Sequence, residues 1–282
     1  MGDLIDDDVT LPSGVRLAIR RADGDKRPFL LVHGLASNAR LWDAVARRLA
    51  TAGHQVVAVD QRGHGLSDAP ETGYDTETCA ADLAALSIEL GFAEDRKPVV
   101  AGQSWGGNVV LTLAAKHGTP SAIALLDGGW IRLGARFETF DDCWQRLAPP
   151  VFDHMRMSDL AERITKHHAN WPPESRTAAL ANLVELPDGG VRARLAREHH
   201  KTILYSMWRG DPRELYALVD VPALLMPAAG SAEHNEDVAE ALRLLPNASV
   251  VWYEGADHDL HAQQPDRVAD DLLTLAAKVP DR

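Results

Sequence analysis

The chain has 282 residues, 45% of them hydrophobic and 25% charged, which suits one large domain or a core domain with an insertion. Its 29 basic and 41 acidic side chains give a formal net charge of −12 at pH 7. This charge argues against nucleic acid or an anionic membrane as a partner, because both bind basic patches.

The first 127 residues alternate short β-branched runs with longer stretches of helical period. An opening hairpin turns at residues 12–14, and the run over 29–33 is continuously apolar, as in a strand buried on both faces. Asp75 is a good N-cap for the second helix, and Gly118 ends the third. The predicted strands of this part are 9–11, 15–20, 29–33, 55–60, 98–103 and 121–127, and the predicted helices are 41–49, one from 75, and 104–117.

The alternation stops over residues 128–215, which predict several short helices with Pro and Gly breaks. It then resumes with strand 223–226, helix 236–245, strand 249–253 and helix 268–277. The whole pattern predicts an α/β fold with a mostly parallel eight-stranded sheet and helices on both faces. We predict a core domain of residues 1–127 and 216–282, with a helical cap of residues 128–215 inserted after the sixth strand. Ligands of such sheets bind beyond the carboxyl ends of the strands.

A G-x-S-x-G pattern lies between a predicted strand and a predicted helix, and it reads Gly102-Gln103-Ser104-Trp105-Gly106. The sharp turn strains the serine backbone, and the flanking glycines remove side chains that would clash with neighbouring strands. The helix N-terminus adds partial positive charge where an oxyanion would form. The pattern predicts Ser104 as a nucleophile; a glycine-rich turn without chemistry is the structural alternative.

A His-Gly turn, His33-Gly34, closes an earlier predicted strand and would present the backbone N–H of Leu35 to the nucleophile. With the backbone N–H of Trp105, that group would form an oxyanion hole. His33 itself is predicted to anchor the turn. The glycine-rich turn after the next strand, which contains His64, is predicted to be structural.

The loop after the last predicted strand reads Gly255-Ala256-Asp257-His258. His258 is the best general base among the 12 histidines, because the chain order nucleophile, acid, base is then kept. It would take the proton of Ser104 and later protonate the leaving group. His261, one turn further along, is the weaker candidate, and a surface histidine without a catalytic role is the structural alternative.

These motifs resemble the α/β-hydrolase superfamily, in particular its cap-bearing serine esterases and lactonases, over roughly residues 9–278. The turn around Ser104 is also similar to that of proline iminopeptidases. Those enzymes carry a His-Gly-Gly-Pro-Gly oxyanion loop, whereas this chain has another sequence over residues 33–37. Relatives that cleave epoxides or carbon–halogen bonds use an aspartate nucleophile, so Ser104 disfavours those reactions.

The acid of the predicted triad is ambiguous. In most relatives it follows the strand written here as 223–226, but the usual aspartate is missing from the loop that follows. Two carboxylates remain, Asp127 at the end of the preceding parallel strand and Glu233 slightly late in the loop. We favour Asp127. The structural alternatives are a strand-end Asx turn for Asp127 and a first-turn helix acid for Glu233.

The predicted cap is rich in aromatic residues and histidines. Its tryptophans, Trp130, Trp144, Trp171 and Trp208, predict an apolar or ring-bearing substrate, although packing explains them as well. Its histidines are poor chelators because neighbours on a helix point apart, so no metal site is predicted. The two cysteines, Cys79 and Cys143, form no CxxC pair and predict reduced, packed thiols.

The sequence thus predicts a serine hydrolase that cleaves a small carboxylic ester or lactone through an acyl-enzyme intermediate. A proline iminopeptidase-like peptidase and a non-catalytic ligand-binding protein are the alternatives. No cofactor is implied, and the expected state is a monomer or homodimer without nucleic acid or membrane partners. The acidic start of the chain has no apolar signal segment, no stretch approaches the ~18 apolar residues of a membrane helix, and we expect a cytoplasmic location.

Overall fold

A computed structural model describes residues 3–92, 96–152, 154–228 and 232–280, without the side chains of 232–234. Ten strands are described: β1 Ile5–Thr10, β2 Arg16–Ala22, β3 Lys26–Val32, β4 His54–Val59, β5 Val99–Gln103, β6 Ala122–Leu126, β7 Leu183–Glu185, β8 Val191–Ala193, β9 Ala223–Met226 and β10 Ala248–Val250. Eight of them form one sheet in the order β1-β2-β4-β3-β5-β6-β9-β10. In this order the pairs from β4 to β10 are parallel, and the pairs β1–β2 and β2–β4 are antiparallel, so β2 alone runs against the other strands. The predicted fold class is confirmed.

The described helices are α1 Asp43–Thr51, α2 Thr76–Glu89, α3 Trp105–His117, α4 Leu133–Arg136, α5 Phe140–Leu147, α6 Met157–His167, α7 Pro173–Leu180, α8 Arg197–Arg209, α9 Arg213–Tyr216, α10 Ala232–Leu244, α11 Leu260–Gln263 and α12 Pro265–Ala277. Asp75 caps α2 by accepting a hydrogen bond from the backbone N–H of Thr78, as predicted. Gly118 ends α3 in the left-handed region with φ 59°, where glycine carries no side-chain penalty.

Alternating side chains of β3 divide the core between the two faces of the sheet, because successive residues of a strand point to opposite sides. Leu30 and Val32 pack with residues of α2 and α3. Phe29 and Leu31 pack with residues of α1 and α12. The strand is thus buried on both faces, as its continuous apolar run predicts.

The segment 128–215 contains α4 to α8 and the start of α9, together with one element that the sequence pattern does not predict. This element is the two-stranded hairpin β7–β8, which lies where short helices were predicted on either side of a break at residues 188–190. Its turn includes Asp188 and Gly189, and Gly189 has a φ of +79°. Each strand has only three residues, too few to show an alternating pattern in the sequence.

The same segment shares a core with the sheet. Several of its buried side chains, among them Trp130, Cys143, Ile203 and Met207, belong to the cluster that also contains the apolar faces of α2 and α3. The division into a core domain and a cap at residues 128 and 216 stays a prediction. Cys79 and Cys143 are both buried and free, as predicted.

Candidate active site

The carboxyl ends of four parallel strands meet at one edge of the sheet. His33 follows β3, Asp60 follows β4, Ser104 follows β5 and Asp127 follows β6. The backbone N–H of Ser104 donates to the carbonyl of Leu126 (2.8 Å), which continues the pairing of β5 with β6 up to the turn. This edge therefore gathers most of the side chains singled out in the sequence.

Ser104 occupies a strained turn between β5 and α3. Its φ of 55° and ψ of −126° lie in a region that non-glycine residues rarely adopt. A Cβ at Gly106 would meet the backbone carbonyl of His33, and one at Gly128 would meet the carbonyl of Ser104. Three backbone segments thus pack against one another at van der Waals distance, and Ser104 remains partly exposed.

Asp127 and His258 are joined by a short hydrogen bond. The distance from His258 Nδ1 to Asp127 Oδ2 is 2.6 Å. The other carboxylate oxygen, Oδ1, accepts from the backbone N–H of Ala228 at 3.1 Å. Asp127 is 8% exposed, and hydrogen bonds to both of its carboxylate oxygens fix its side chain at the end of β6. With Nδ1 donating to Asp127, Nε2 of His258 is left as a proton acceptor.

The loop that carries His258 is also tied to the residue before Ser104. Gln103 Nε2 donates to the backbone carbonyl of His258 at 3.1 Å. No role is predicted for Gln103 from the sequence, since a single glutamine at the end of a strand carries no recognisable pattern. Its bond places the histidine loop directly beside the Ser104 turn.

The charges around His258 stabilise its protonated form. Partial burial lowers its pKa, but the hydrogen bond that His258 donates to Asp127 and the negative charges of Asp259, Asp127 and Asp257 outweigh burial, and the net pKa is raised. The side chain is 52% exposed, so the ring still has access from solvent. A histidine with these neighbours is well suited to accept a proton and hold it while a reaction proceeds.

The turn after β3 presents its backbone to Ser104. A Cβ at Gly34 would lie 3.0 Å from the Cβ of Ser104, so only glycine allows this approach. Among the described residues, none accepts a hydrogen bond from the backbone N–H of Leu35 or from that of Trp105. Two donors are thus left available beside the serine, which is the arrangement that an oxyanion needs.

His33 and His64 hold this turn in place. The backbone N–H of Gln61 donates to His33 Nε2 at 3.0 Å, and the backbone N–H of Ala36 donates to His64 Nε2 at 3.1 Å. The Nδ1 atoms in turn donate to carbonyls, that of His33 to Gly34 and that of His64 to Arg62. Both rings are therefore neutral bridges between the turns after β3 and β4.

Burial keeps these two histidines neutral. It lowers the pKa of His33 to about 4 and that of His64 to about 3. Asp60 adds to the same support, since its carboxylate accepts from the backbone N–H groups of Ala39 (2.7 Å) and Leu66 (2.9 Å). The turn after β4 is thus built from internal hydrogen bonds.

Two further residues were predicted as alternatives, His261 for the base and Glu233 for the acid. His261 is fully buried, packs on the ring of Trp42, and has no hydrogen-bond partner for either ring nitrogen among the described residues. Burial lowers its pKa to about 3, which does not suit a base near neutral pH. The side chain of Glu233 lies outside the described part of the structure.

The four tryptophans of the 128–215 segment occupy separate places. Trp130 is buried just after Asp127, in the core shared with α3. Trp171 is buried and donates from Nε1 to Asp257 Oδ2 at 2.7 Å. Trp144 packs edge-on against His200, and Trp208 donates from Nε1 to the carbonyl of Phe137. The structure therefore does not bring all four together, and their role in substrate binding stays a prediction.

A small cavity of about 180 Å³ adjoins the turn that holds Leu35. The lining is mostly apolar and combines the turns after β3 and β4 with the 128–215 segment. It includes Ala36, His64, Pro150, Phe152, Leu183 and Leu195.

Among the residues that the structure describes, no cluster of three or more His, Cys, Asp or Glu side chains could hold a metal ion. None of the described helices is long and apolar enough to cross a membrane.

The geometry of the serine turn, the carboxylate–histidine pair and the parallel sheet agrees with a comparison of the whole sequence. The profile of the alpha/beta hydrolase family matches residues 29–271. The chain belongs to the alpha/beta hydrolase family. The match spans the sheet from β3 onwards and includes every predicted site residue.

Two relatives and a solved structure are similar to this alpha/beta hydrolase over most of its length. It is 29% identical over 263 residues to a non-heme chloroperoxidase of Streptomyces lividans, covering 89% of this chain and 92% of that one. It is 28% identical over 261 residues to the 2-(acetamidomethylene)succinate hydrolase of Mesorhizobium japonicum, covering 87% and 86%. The crystal structure of E-2-(acetamidomethylene)succinate hydrolase matches with a TM-score of 0.80 at 25% identity, covering 98% of this chain and 100% of that one.

Proposed function

We propose that this alpha/beta hydrolase is a serine hydrolase with Ser104 as nucleophile, His258 as general base and Asp127 as the acid of the triad. The observation that carries the proposal is the 2.6 Å hydrogen bond between His258 and Asp127 beside the strained turn of Ser104. Strain at a serine that follows a parallel strand is a feature of exposed nucleophiles in this fold.

The proposed reaction is acyl transfer in two steps. The Ser104 hydroxyl attacks the carbonyl carbon of the substrate while Nε2 of His258 takes its proton. The backbone N–H groups of Leu35 and Trp105 donate to the oxyanion, and His258 then protonates the leaving group. In the second step His258 takes a proton from water as the water oxygen attacks the carbonyl carbon of the acyl-enzyme. The bond to Ser104 Oγ then breaks, His258 returns the proton to Oγ, and the acid product leaves.

We propose a small carboxylic ester or lactone with an apolar or ring-bearing acyl group as the substrate. The mostly apolar cavity beside Ala36 supports this proposal, because it adjoins the turn that carries Leu35 and its volume of about 180 Å³ suits a small, largely apolar group. The carboxylates around His258, which are Asp127, Asp257 and Asp259, would repel a substrate that carries its own negative charge close to the scissile bond.

A second candidate reaction is the cleavage of an N-acyl bond. It is favoured by the similarity over 87% of this chain to an enzyme named 2-(acetamidomethylene)succinate hydrolase. The same nucleophile, base and oxyanion donors would serve, with an amine as the leaving group that His258 protonates. The relative's substrate is a dicarboxylate, so the acidic surroundings of His258 favour the ester or lactone for this chain.

The test is a substrate panel run together with an active-site label. A fluorophosphonate probe should label the wild-type protein and leave the Ser104→Ala variant unlabelled. We expect p-nitrophenyl esters and small lactones to be hydrolysed, and prolyl arylamides and N-acyl enamines to be turned over at least tenfold less efficiently. Preference for an amide would overturn the ester proposal, and a lack of labelling and turnover would favour a ligand-binding protein.

A further inference from the structure

Asp257, the residue before His258, makes three hydrogen bonds that fix the loop around the proposed base. Its carboxylate accepts from the backbone N–H of Asp259 through Oδ1 at 3.1 Å. Its own N–H donates to Gln263 Oε1 at 2.9 Å. The second carboxylate oxygen, Oδ2, accepts from Nε1 of Trp171 at 2.7 Å. The carboxylate thus binds the backbone on the far side of His258 and also contacts Trp171 of the 128–215 segment.

Trp171 is itself held firmly. It is 4% exposed and packs in a cluster with Leu41, Ala178 and Ala262. The ring of His168 lies against it, with centroids 3.9 Å apart. A fixed indole can hold the carboxylate of Asp257 in one place, because its N–H points in a single direction.

A second hydrogen bond joins the 128–215 segment to the chain around His258. Ser175 at the start of α7 donates from Oγ to the backbone carbonyl of Ala262 in α11 at 2.9 Å. Two bonds therefore link the region of α7 to the chain on both sides of His258. The position of His258 then depends on the 128–215 segment as well as on the sheet.

We propose that Trp171 and Asp257 are positioning residues that hold His258 at the angle needed to reach Ser104. The inference rests on the proposed function, since it assigns a role in the same reaction. It differs from the substrate-binding role predicted for Trp171 from the sequence. Small errors in the placement of a base lower kcat strongly, because proton transfer needs a narrow range of distances and angles.

Asp257 holds the His258 loop in place and also adds a negative charge beside the ring. Two variants, one at Trp171 and one at Asp257, separate these two effects. Trp171→Phe removes the indole N–H and leaves the carboxylate. Asp257→Asn keeps an acceptor oxygen and removes the charge. The groups that face His258 are Asp127 from the sheet, Asp257 and Asp259 on its own loop, and His261 from α11, while His168 faces Asp257 from the 128–215 segment.

The experiment measures kcat and KM against pH on an ester that the wild-type protein hydrolyses, and the pKa of the His258 ring by NMR in the resting protein. We expect Trp171→Phe to lower kcat about tenfold with KM changed less than about twofold. We expect Asp257→Asn to lower the NMR pKa of His258 and to move the acid limb of kcat/KM to lower pH by about half a unit. Trp252→Phe, on the exposed surface, and Asp220→Asn, at the opposite end of β9, are the matched controls.

The outcomes are distinct. A rise in KM at unchanged kcat in Trp171→Phe would assign the indole to substrate contact and overturn the inference. Unchanged kcat in Trp171→Phe together with an unchanged His258 pKa in Asp257→Asn would also overturn it. Failure of the proposed function would show instead as a wild-type protein without labelling or turnover, and the NMR titration would still test the link between Asp257 and His258. Thermal unfolding of each variant identifies any loss that comes from misfolding.

Discussion

Histidines at two places around the same edge of the sheet differ in what they can do. His33 and His64, in the turns after β3 and β4, use both ring nitrogens for backbone groups and are fully buried. His258, in the loop after β10, uses Nδ1 for a carboxylate and is half exposed. The pKa of the first two is lowered and that of the third is raised.

The difference shows how the partner of a histidine decides its role. Backbone partners on both nitrogens, in a buried site, stabilise the neutral ring, and such a ring can only fix the chain. A carboxylate on Nδ1 stabilises the charged ring and leaves Nε2 open, and such a ring can take up and release a proton.

The largest expected effect is the loss of the proposed base. His258→Gln should lower kcat/KM for an ester by roughly 10⁴–10⁶-fold, because it removes the proposed acceptor of the Ser104 proton. His64→Gln should lower it by only about 10–100-fold, by loosening the turn that carries Leu35. Steady-state kinetics on the same ester check both values, and equal losses would remove the distinction between the two kinds of histidine.

The next effect concerns the carboxylate partner. Asp127→Asn should lower kcat by about 10⁴-fold, because an amide in place of the carboxylate favours the wrong tautomer of His258 and removes the charge that stabilises its protonated form. Glu233→Gln should leave kcat within about threefold of the wild-type value. The opposite ranking in the same assay would move the acid of the triad from Asp127 to Glu233.

The pH dependence of the reaction gives a smaller but direct test. Protonated His258 cannot act as a base, so kcat/KM should fall as the pH drops through its pKa. Because that pKa is raised, the midpoint of the acid limb should lie above the ordinary histidine value of about 6.5. A pH–rate profile of the wild-type protein measures it, and a midpoint below pH 6 would contradict the environment described for His258.

The smallest effect is on stability. His33 and His64 have folded-state pKa values of about 4 and about 3, below the unfolded value of about 6.5. The unfolded chain therefore binds protons that the folded chain does not. The contribution of these two histidines to the free energy of unfolding is fully present above about pH 6.5 and is lost as the pH drops toward 4. Each histidine contributes on the order of 1–3 kcal/mol to this loss.

Urea unfolding at pH 7.5, 6.5, 5.5 and 4.5 measures that slope. The variant His64→Gln should be less stable at pH 7.5 and show a shallower fall, because it lacks one titrating group. His200 and His261, whose pKa values burial also lowers, keep part of the slope in the variant. A fall as steep as in the wild-type protein would show that His64 is not kept neutral by the fold.

Much of this architecture follows from local sequence patterns. The continuous apolar run of β3 predicts a strand buried on both faces, and Asp75 and Gly118 mark helix ends by their own hydrogen-bonding and backbone preferences. The short hairpin β7–β8 was missed because three-residue strands have no period to recognise. The same local reasoning identified the turn of Ser104 and the loop of His258.

The sequence by itself therefore determined the fold class and the positions of the turns that hold the site, because these depend on neighbouring residues. Only the tertiary structure showed which carboxylate lies against His258, since Asp127 is 131 residues away from it along the chain. It alone revealed the bonds of Gln103 to the His258 loop and of Trp171 to Asp257. Such contacts depend on how whole elements pack against one another, and no local pattern of residue types encodes that distance.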